Sequence, residues 1–257
     1  MPVSDMKTFA IVNQQPGSGK TTTAVNLAAA LASAGGKTLL VDLDPAAVAT
    51  RAVGRQAACA ASHLITAEAE PADTLVETHT PGLKLIPAGR SLAAAEYHVT
   101  GLPGSQFMLA EQLTGLAGEF DFCAIDCPPT LGPLTINAMV AAEQVVIPIP
   151  HADTDFHALD ALIDIVHTVK TRFSPCTVRI RGLLRVCFEN KTQPGKAAQR
   201  KIARDYKPLL LNTIIHKTPA LADAAGHAVC VLEHSPRSKG AAEYKALARE
   251  MTDGNEL

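Results

Sequence analysis

Residues 14–23 read Gln-Gln-Pro-Gly-Ser-Gly-Lys-Thr-Thr-Thr, a glycine-rich turn followed by a lysine and three threonines. This stretch is close to the phosphate-binding loop G-x-x-x-x-G-K-[ST], in which backbone amides and a lysine hold the phosphates of a nucleotide. It departs from that pattern at the first position, where Gln14 replaces glycine. Such a loop connects a buried strand to a helix, so the residues on either side of it decide whether the pattern is real.

Those flanking residues have the expected patterns. Residues 8–14 form an apolar run typical of a buried strand, and residues 21–36 are rich in alanine and leucine and end at Gly35-Gly36. Strands are also predicted at 37–45, 83–89, 120–129, 143–150, 178–188 and the second half of 200–215, and helices at 158–173, the first half of 200–215 and 238–251. This alternation predicts an α/β fold with a mostly parallel sheet and helices on both faces.

The composition indicates one globular domain. The chain has 257 residues, 47% of them hydrophobic, and shows no repeat, linker or low-complexity segment. We predict a single domain over residues 1–257 with its core at about residues 8–250. No apolar run reaches the roughly 18–20 residues that cross a bilayer, and the first residues lack the features of a signal peptide. We therefore expect a cytoplasmic protein with no membrane partner.

Polar residues stand at the ends of three predicted strands. The glycine-rich loop follows the first strand, Asp42 and Asp44 end the second, and Asp126 ends the run before "CPP". In parallel sheets, ligands bind at the carboxyl ends of the strands. The sequence therefore predicts that these motifs meet at one edge of the sheet.

The loop is predicted to hold the phosphates of a nucleotide. Gly17 and Gly19 let the backbone wrap tightly with its amides pointing inward, and the start of the helix adds the positive end of its dipole. Lys20 is placed to reach the β- and γ-phosphates. The predicted nucleotide-binding set is Gly17, Ser18, Gly19, Lys20, Thr21 and Thr22.

Carboxylates supply the remaining chemistry. The Thr21 hydroxyl and Asp126 are the predicted Mg²⁺ residues, Asp126 through the hydration shell of the ion. Asp44 can face the γ-phosphate and orient an attacking water. Asp42 points to the same side of its strand, and the sequence leaves open whether it binds the metal or the backbone of the loop.

Charge is distributed unevenly along the chain. Residues 1–165 carry 7 Lys/Arg and 17 Asp/Glu, whereas residues 166–257 carry 16 Lys/Arg and 8 Asp/Glu. Within the basic segment 189–207, a broad helical face is predicted to bind the phosphate backbone of duplex DNA without sequence preference. Its residues are Lys196, Arg200, Lys201 and Arg204. The alternative is an ordinary solvated helix face.

Several segments together resemble the ParA family of partition ATPases, relatives of MinD with a deviant Walker A loop. They are "VNQQPGSGKTTTAVNLAAALA", "TLLVDLDP", "FDFCAIDCPPTLGPLTINAMVAAEQVVIPI" and "SPRSKGAAEYKALARE". The resemblance runs from about residue 8 to residue 250. It implies the single-domain deviant-Walker P-loop NTPase fold with ATP and Mg²⁺ as cofactors.

The resemblance also implies a biological role. Members form homodimers around ATP, bind non-specific duplex DNA as dimers, and hydrolyse ATP weakly until an adaptor such as a ParB-like protein stimulates them. The expected location is the cytoplasm, in association with the nucleoid. Because the first strand begins almost at once, we expect the short form of the family, without an added N-terminal DNA-reading domain.

The loop departs from the family at two positions. The family reads K-G-G-x-G-K-[ST], so Gln15 stands in place of the signature lysine and Pro16 in place of a glycine. The lysine reaches across the dimer to the phosphates of the partner, and Gln15 carries no charge. By analogy with arginine fingers, such a loss costs on the order of 10³-fold in rate. We therefore predict that ATP still binds and that Gln15 makes hydrolysis slow or altered.

Two further departures affect the same site. Residues 46–48 read Ala-Ala-Val where the family has polar residues, which again bears on hydrolysis or dimer signalling. Residues 216–220 replace a P-R-N segment near the adenine, and the sequence leaves open whether Lys217 substitutes for that arginine.

Three functions remain as hypotheses. The first is an ATPase that partitions or positions a DNA or protein cargo, with carboxysome-positioning relatives as a subtype because some of these also lack the signature lysine. The second is a nucleotide-binding switch or scaffold with negligible hydrolysis, which Gln15 and Ala46-Ala47 favour. The third is a MinD-like membrane ATPase, which the short acidic tail of the chain disfavours.

Overall fold

The computed structural model describes residues 6–55, 60–150, 154–188 and 193–253, and it has the predicted α/β architecture. Its strands are β1 (Lys7–Ile11), β2 (Thr38–Asp42), β3 (Val76–Glu77), β4 (Leu83–Ile86), β5 (Phe122–Asp126), β6 (Gln144–Pro150), β7 (Arg179–Phe188) and β8 (Leu210–His216). All of these except β3 lie where the sequence predicted strands. The short β3 was not predicted because two residues are too few to show alternation.

The helices in the described ranges are more numerous than the sequence indicated. They are α1 (Lys20–Ser33), α2 (Val48–Ala52), α3 (Ala60–Thr66), α4 (Ser91–Val99), α5 (Met108–Thr114), α6 (Pro133–Ala141), α7 (Phe156–Arg172), α8 (Gln193–Asp205), α9 (Pro219–Gly226), α10 (Val231–His234) and α11 (Lys239–Thr252). Helices α1, α7 and α11 match the predicted positions closely, whereas α8 begins before the predicted start at residue 200. Within the described ranges, no helix is long and apolar enough to cross a membrane.

The strands form one sheet in the order β3-β4-β2-β5-β1-β6-β7-β8. Neighbouring strands run parallel except at one edge, where β3 pairs antiparallel with β4. Parallel strands need crossover connections, and the helices between them provide these. The mostly parallel sheet predicted from the sequence is therefore confirmed.

Apolar side chains cover both faces of the sheet. One core lies beneath α3 to α8 and contains Leu64, Ile125 and Leu162, and the other lies beneath α1 and α11 and contains Leu27, Leu31 and Tyr244. The alanines of α1 are almost fully buried, and their small side chains let the helix lie close to the sheet and to α11. This packing fixes the start of α1 directly after β1.

The register of the central strands brings the polar motifs together. Ile11 at the end of β1 pairs with Asp126 at the end of β5, and Asp126 pairs in turn with Asp42 at the end of β2. The loop that follows β1 therefore begins beside two carboxylates. The polar motifs therefore lie together at the carboxyl ends of the central strands, as the sequence predicted.

Candidate nucleotide-binding site

The glycine-rich loop passes directly into α1. Gly17 and Gly19 have φ of 72° and 86°, in the left-handed region that glycine adopts without strain. A Cβ on Gly19 would also lie 3.3 Å from a methyl carbon of Val186. No side chain among the described residues caps the start of α1, so the first amides of the helix and its dipole face the space in front of the loop.

Gln15 and Pro16, which depart from the family pattern, are the first two residues of a tight turn over residues 15–18. The amide of Ser18 donates to the carbonyl of Gln15 at 3.3 Å, with Pro16 and Gly17 between them. Proline at the second position and a left-handed glycine at the third are the preferences of a type II turn. The Pro16-Gly17 pair therefore gives the loop a defined shape where the family has two glycines.

Lys20 lies almost entirely inside the protein. Its side chain is 7% exposed, and its Nζ donates to the carbonyl of Gln15 at 3.4 Å. Burial lowers the pKa of Lys20, and the nearby carboxylates of Asp126 and Asp44 partly oppose this effect. Among the described residues, the ammonium group is thus held beneath the loop by a single long hydrogen bond from its Nζ to the backbone.

Asp126 is fully buried at the end of β5. Neither carboxylate oxygen has a hydrogen-bond partner at bonding geometry among the described residues, although the Thr21 hydroxyl lies close enough to lower the pKa of this carboxyl. Burial and then the charge of Asp42 outweigh that effect and raise the pKa well above its usual value. Two orphaned carboxylate oxygens beside a threonine hydroxyl fit Mg²⁺, which prefers oxygen ligands and keeps several waters.

Asp42 is bonded to the backbone of the following segment. Its Oδ1 accepts from the amide of Asp44 at 3.0 Å, and its Oδ2 accepts from the amide and hydroxyl of Thr50 at 2.8 and 2.7 Å. The Thr50 hydroxyl accepts in turn from the amide of Ala88 at 3.0 Å. Burial raises the pKa of Asp42 to about 6, against the opposing effect of these hydrogen bonds. Of the two roles that the sequence left open, the backbone role is the one seen here.

Asp44 is half-buried at the mouth of the site. Its Oδ1 accepts from the amide of Ala46 at 2.9 Å, and Ala47 follows in the left-handed region with φ of 53°. Non-glycine residues adopt this conformation at a cost of about 1–2 kcal/mol. The Arg51 guanidinium donates to the Ala46 carbonyl at 2.7 Å and holds the strained turn from the other side.

The orphaned carboxylate of Asp126 leads to a prediction about stability and pH. Asp126→Asn is expected to raise the unfolding temperature of the nucleotide-free protein. The wild-type chain must bury a carboxylate that accepts no hydrogen bond from the described residues, and the nearby Lys20 ammonium offsets this cost only in part. Since the folded state raises the pKa of Asp126, the cost is absent when the carboxyl is protonated and grows as pH rises. The gap between variant and wild type should therefore widen as pH rises above the ordinary pKa of an aspartate, about 4, toward the raised pKa of the folded state.

Differential scanning fluorimetry across that pH range measures the gap. Asp121→Asn is the control, because the exposed Asp121 accepts a 2.7 Å hydrogen bond from the amide of Lys37 at the opposite end of the sheet. A gap that shrinks with rising pH would contradict the assignment of a carboxylate whose burial outweighs the attraction of Lys20.

Comparison with known proteins identifies the family. A family model described as an AAA domain matches residues 6–178. The chain is 34% identical over 251 residues to the sporulation initiation inhibitor protein Soj of Bacillus subtilis, covering 95% of this chain and 98% of that protein. It is 33% identical over 247 residues to the chromosome partitioning protein ParA of Myxococcus xanthus, covering 94% and 86%. The chain belongs to the ParA/MinD family of ATPases.

Solved structures agree with that assignment. Cobyrinic acid a,c-diamide synthase of Mycobacterium smegmatis, with a bound ATP analogue and magnesium, superposes with a TM-score of 0.82 at 29% identity, covering 95% of this chain and 93% of that one. The ParA-type fold expected from the motifs is therefore confirmed. The similarity to these proteins spans nearly the whole chain.

The basic helix predicted to bind DNA is α8. Ala198, Ile202 and Tyr206 turn toward the core, and all four predicted DNA-binding residues, Lys196, Arg200, Lys201 and Arg204, are exposed. Two of the four are engaged within the chain. The Lys201 ammonium lies 4.1 Å from the centroid of the Phe156 ring, and the Arg204 guanidinium makes two hydrogen bonds to Asp205. Residues 189–192 of the basic segment lie outside the described residues.

Sequence reasoning missed two residues that shape this ParA-type site. Asn13 bonds to the loop backbone, with its Oδ1 accepting from the amide of Gln15 at 2.8 Å. Thr50 bonds to Asp42 across the segment that contains Asp44. The only sequence feature that could have indicated these two residues is their position. Asn13 stands just before the loop, and Thr50 lies shortly after Asp42 and Asp44.

Proposed function

We propose that this ParA-family chain binds ATP with Mg²⁺, dimerises in the ATP-loaded state, binds duplex DNA without sequence preference and partitions or positions a cargo through an adaptor protein. The observation that carries the proposal is the meeting of the phosphate loop with Asp126 and Asp42 at the carboxyl ends of neighbouring strands, with the charge of Asp44 close enough to act on Asp126. The family assignment supports it, because two relatives that match nearly the whole chain are named a chromosome partitioning protein and a chromosome-partitioning ATPase.

Each residue of the site has a role in this proposal. The amides of residues 17–22 and the Lys20 ammonium bind the phosphates. Thr21 and Asp126 hold Mg²⁺, which when bound neutralises phosphate charge. Asp44 orients the water that attacks the γ-phosphate, and its hydrogen bond to Ala46 fixes the direction of its carboxylate. Asp42 positions Asp44 through the Asp44 amide.

Hydrolysis in this proposal is slow because Gln15 replaces the signature lysine. The Gln15 amide is neutral and cannot supply the charge that stabilises the transferring phosphoryl group. The same observation favours the second candidate, a nucleotide-dependent switch or scaffold with negligible turnover. The carboxysome-type positioning role belongs with the first candidate and differs from it only in cargo.

Gln15→Lys is expected to raise ATP turnover in the presence of DNA by about tenfold to 10²-fold, because it restores a cation at the family position. Recovery stays below the full family value because residues 46–48 also differ. Phosphate release measures the rate, and Gln14→Lys is the matched control, since it adds the same charge one residue away. Equal rates in Gln15→Lys, Gln15→Ala and wild type would show that this position does not limit hydrolysis.

The cellular role is tested by DNA binding in each nucleotide state. Purified protein is mixed with non-specific duplex DNA without nucleotide, with ADP·Mg and with ATP·Mg, while light scattering follows its mass. DNA binding confined to an ATP-loaded dimer is the expected result. Binding that ignores nucleotide, or a monomer in every state, would contradict the partition role and favour the scaffold. The same assay with Lys196→Ala/Arg200→Ala tests whether α8 is the DNA surface.

A further inference from the structure

Asn13 connects the phosphate loop to a neighbouring strand. It is buried, with 9% of its surface exposed, two residues after the end of β1. The amide of Val12 still continues the β1–β6 ladder by donating to the carbonyl of Val146 at 3.0 Å. At the next step the backbone turns away into the loop, and the Asn13 side chain takes over by donating from Nδ2 to the carbonyl of Pro148 at 2.6 Å.

The other end of the same amide holds the loop. Asn13 Oδ1 accepts from the amide of Gln15 at 2.8 Å. The carbonyl of Gln15 then accepts from the Ser18 amide at 3.3 Å and from Lys20 Nζ at 3.4 Å. One buried side chain therefore fixes the residue on which both the turn and the phosphate-binding lysine depend.

We propose that Asn13 is a positioning residue for ATP binding, which holds the phosphate loop in its turn before the nucleotide arrives. This inference rests on the proposed ATP-binding function. A loop that is ordered in advance loses less conformational freedom on binding, and this difference appears directly as affinity. The position requires a donor and an acceptor on one short planar group, which asparagine offers at every pH and its isostere aspartate offers only when protonated.

Affinity for a fluorescent ATP analogue with Mg²⁺ is the first test. Asn13→Ala is expected to weaken binding by about 10- to 50-fold, since it removes one buried and one partly buried hydrogen bond and frees the loop. Asn137→Ala is the matched control, because Asn137 is also buried and also bridges backbone groups, accepting from the amide of Leu109 at 3.1 Å and donating to the carbonyl of Ser105 at 2.9 Å. That control should lose thermal stability similarly and keep its affinity within about twofold.

Asn13→Asp should make the affinity for the analogue depend on pH, which a general loss of stability would not do. Its carboxylate can still accept from the Gln15 amide, but it faces the Pro148 carbonyl without a donor. At about pH 8 it should bind the analogue as weakly as Asn13→Ala or more weakly, and protonation at lower pH should restore the donor. Its affinity relative to wild type should therefore recover as pH falls to about pH 5, whereas that of Asn13→Ala should not.

Hydrogen exchange of the nucleotide-free protein tests, without any ligand, whether Asn13 holds the phosphate loop in its turn. Peptides covering residues 14–20 should exchange faster in Asn13→Ala than in wild type or Asn137→Ala. Unchanged exchange in the loop, or wild-type affinity in Asn13→Ala, would overturn the proposal. If the wild-type protein fails to bind the analogue, the proposed ATP-binding function is contradicted. The exchange comparison would then show by itself whether Asn13 orders the phosphate loop.

Discussion

Lys20→Ala is expected to weaken ATP binding by about 10²- to 10³-fold. The Lys20 ammonium is buried beneath the loop, where it donates a long hydrogen bond of 3.4 Å from its Nζ to the Gln15 carbonyl. Phosphate oxygens would give it shorter, charge-assisted bonds, each worth about 1.5–3 kcal/mol. Two such bonds account for an effect of this size, and isothermal titration calorimetry measures it.

The stability of the same variant separates binding from folding. Burial lowers the pKa of Lys20, so the charged side chain costs free energy in the nucleotide-free protein and its removal should not lower the unfolding temperature. Lys84→Ala is the control, because Lys84 is a half-buried lysine on β4 that pairs with Glu77 at 3.1 Å, away from the loop. If the Lys20→Ala variant folds and binds ATP with wild-type affinity, Lys20 is not a nucleotide-binding residue.

Asp44→Asn is expected to lower ATP hydrolysis by about 10²- to 10³-fold while leaving ATP affinity within a few-fold of wild type. Asparagine keeps the acceptor for the Ala46 amide, so the turn survives and only the negative charge is lost. Groups that take up or orient a proton in the transition state contribute rate factors of this order. Single-turnover phosphate release at saturating ATP measures the chemical step.

Asp121→Asn is again the control for a carboxylate that bonds to backbone, since its partner is the amide of Lys37 at the far end of the sheet. Its turnover should equal that of wild type. If Asp44→Asn hydrolyses ATP at the wild-type rate, the attacking water is oriented by another group and the proposed role of Asp44 is wrong.

The sequence predicted most of the site because its signals are local. The apolar run before "QQPGSGKTTT" and the alanine-rich run after it define a strand, a loop and a helix without reference to the rest of the chain. Asp42 and Asp126 each end an apolar run, and parallel strands align such ends by necessity. In the structure, Asp126 pairs with Ile11 on one side and with Asp42 on the other, so these strand ends are aligned.

Other features depend on contacts that no local pattern records. Asn13 bonds to Pro148, which is 135 residues away, and Thr50 bonds to Ala88. The left-handed conformation of Ala47 is imposed by Asp44 and Arg51 around it, because alanine has no intrinsic preference for that region. Short helices such as α2 and α10 have too few turns for a periodic pattern.

Charge along the sequence predicted an exposed basic helix but could not predict how its side chains are used. The spacing of Lys196, Arg200 and Lys201 matches their exposure on α8. The stacking of Lys201 on Phe156, however, depends on the packing of α7 beside α8. Of the four basic residues, Lys196 and Arg200 therefore remain the stronger DNA-binding predictions.

Calorimetric titration of the wild-type protein with ATP, with and without Mg²⁺, tests the central claim most directly. A site built from Lys20, Thr21 and Asp126 should bind one ATP per chain, and removal of Mg²⁺ by a chelator should weaken binding by about tenfold or more, because the buried Asp126 carboxylate then faces the phosphates without a cation between them. Absence of binding, or equal affinity with and without Mg²⁺, would contradict the account.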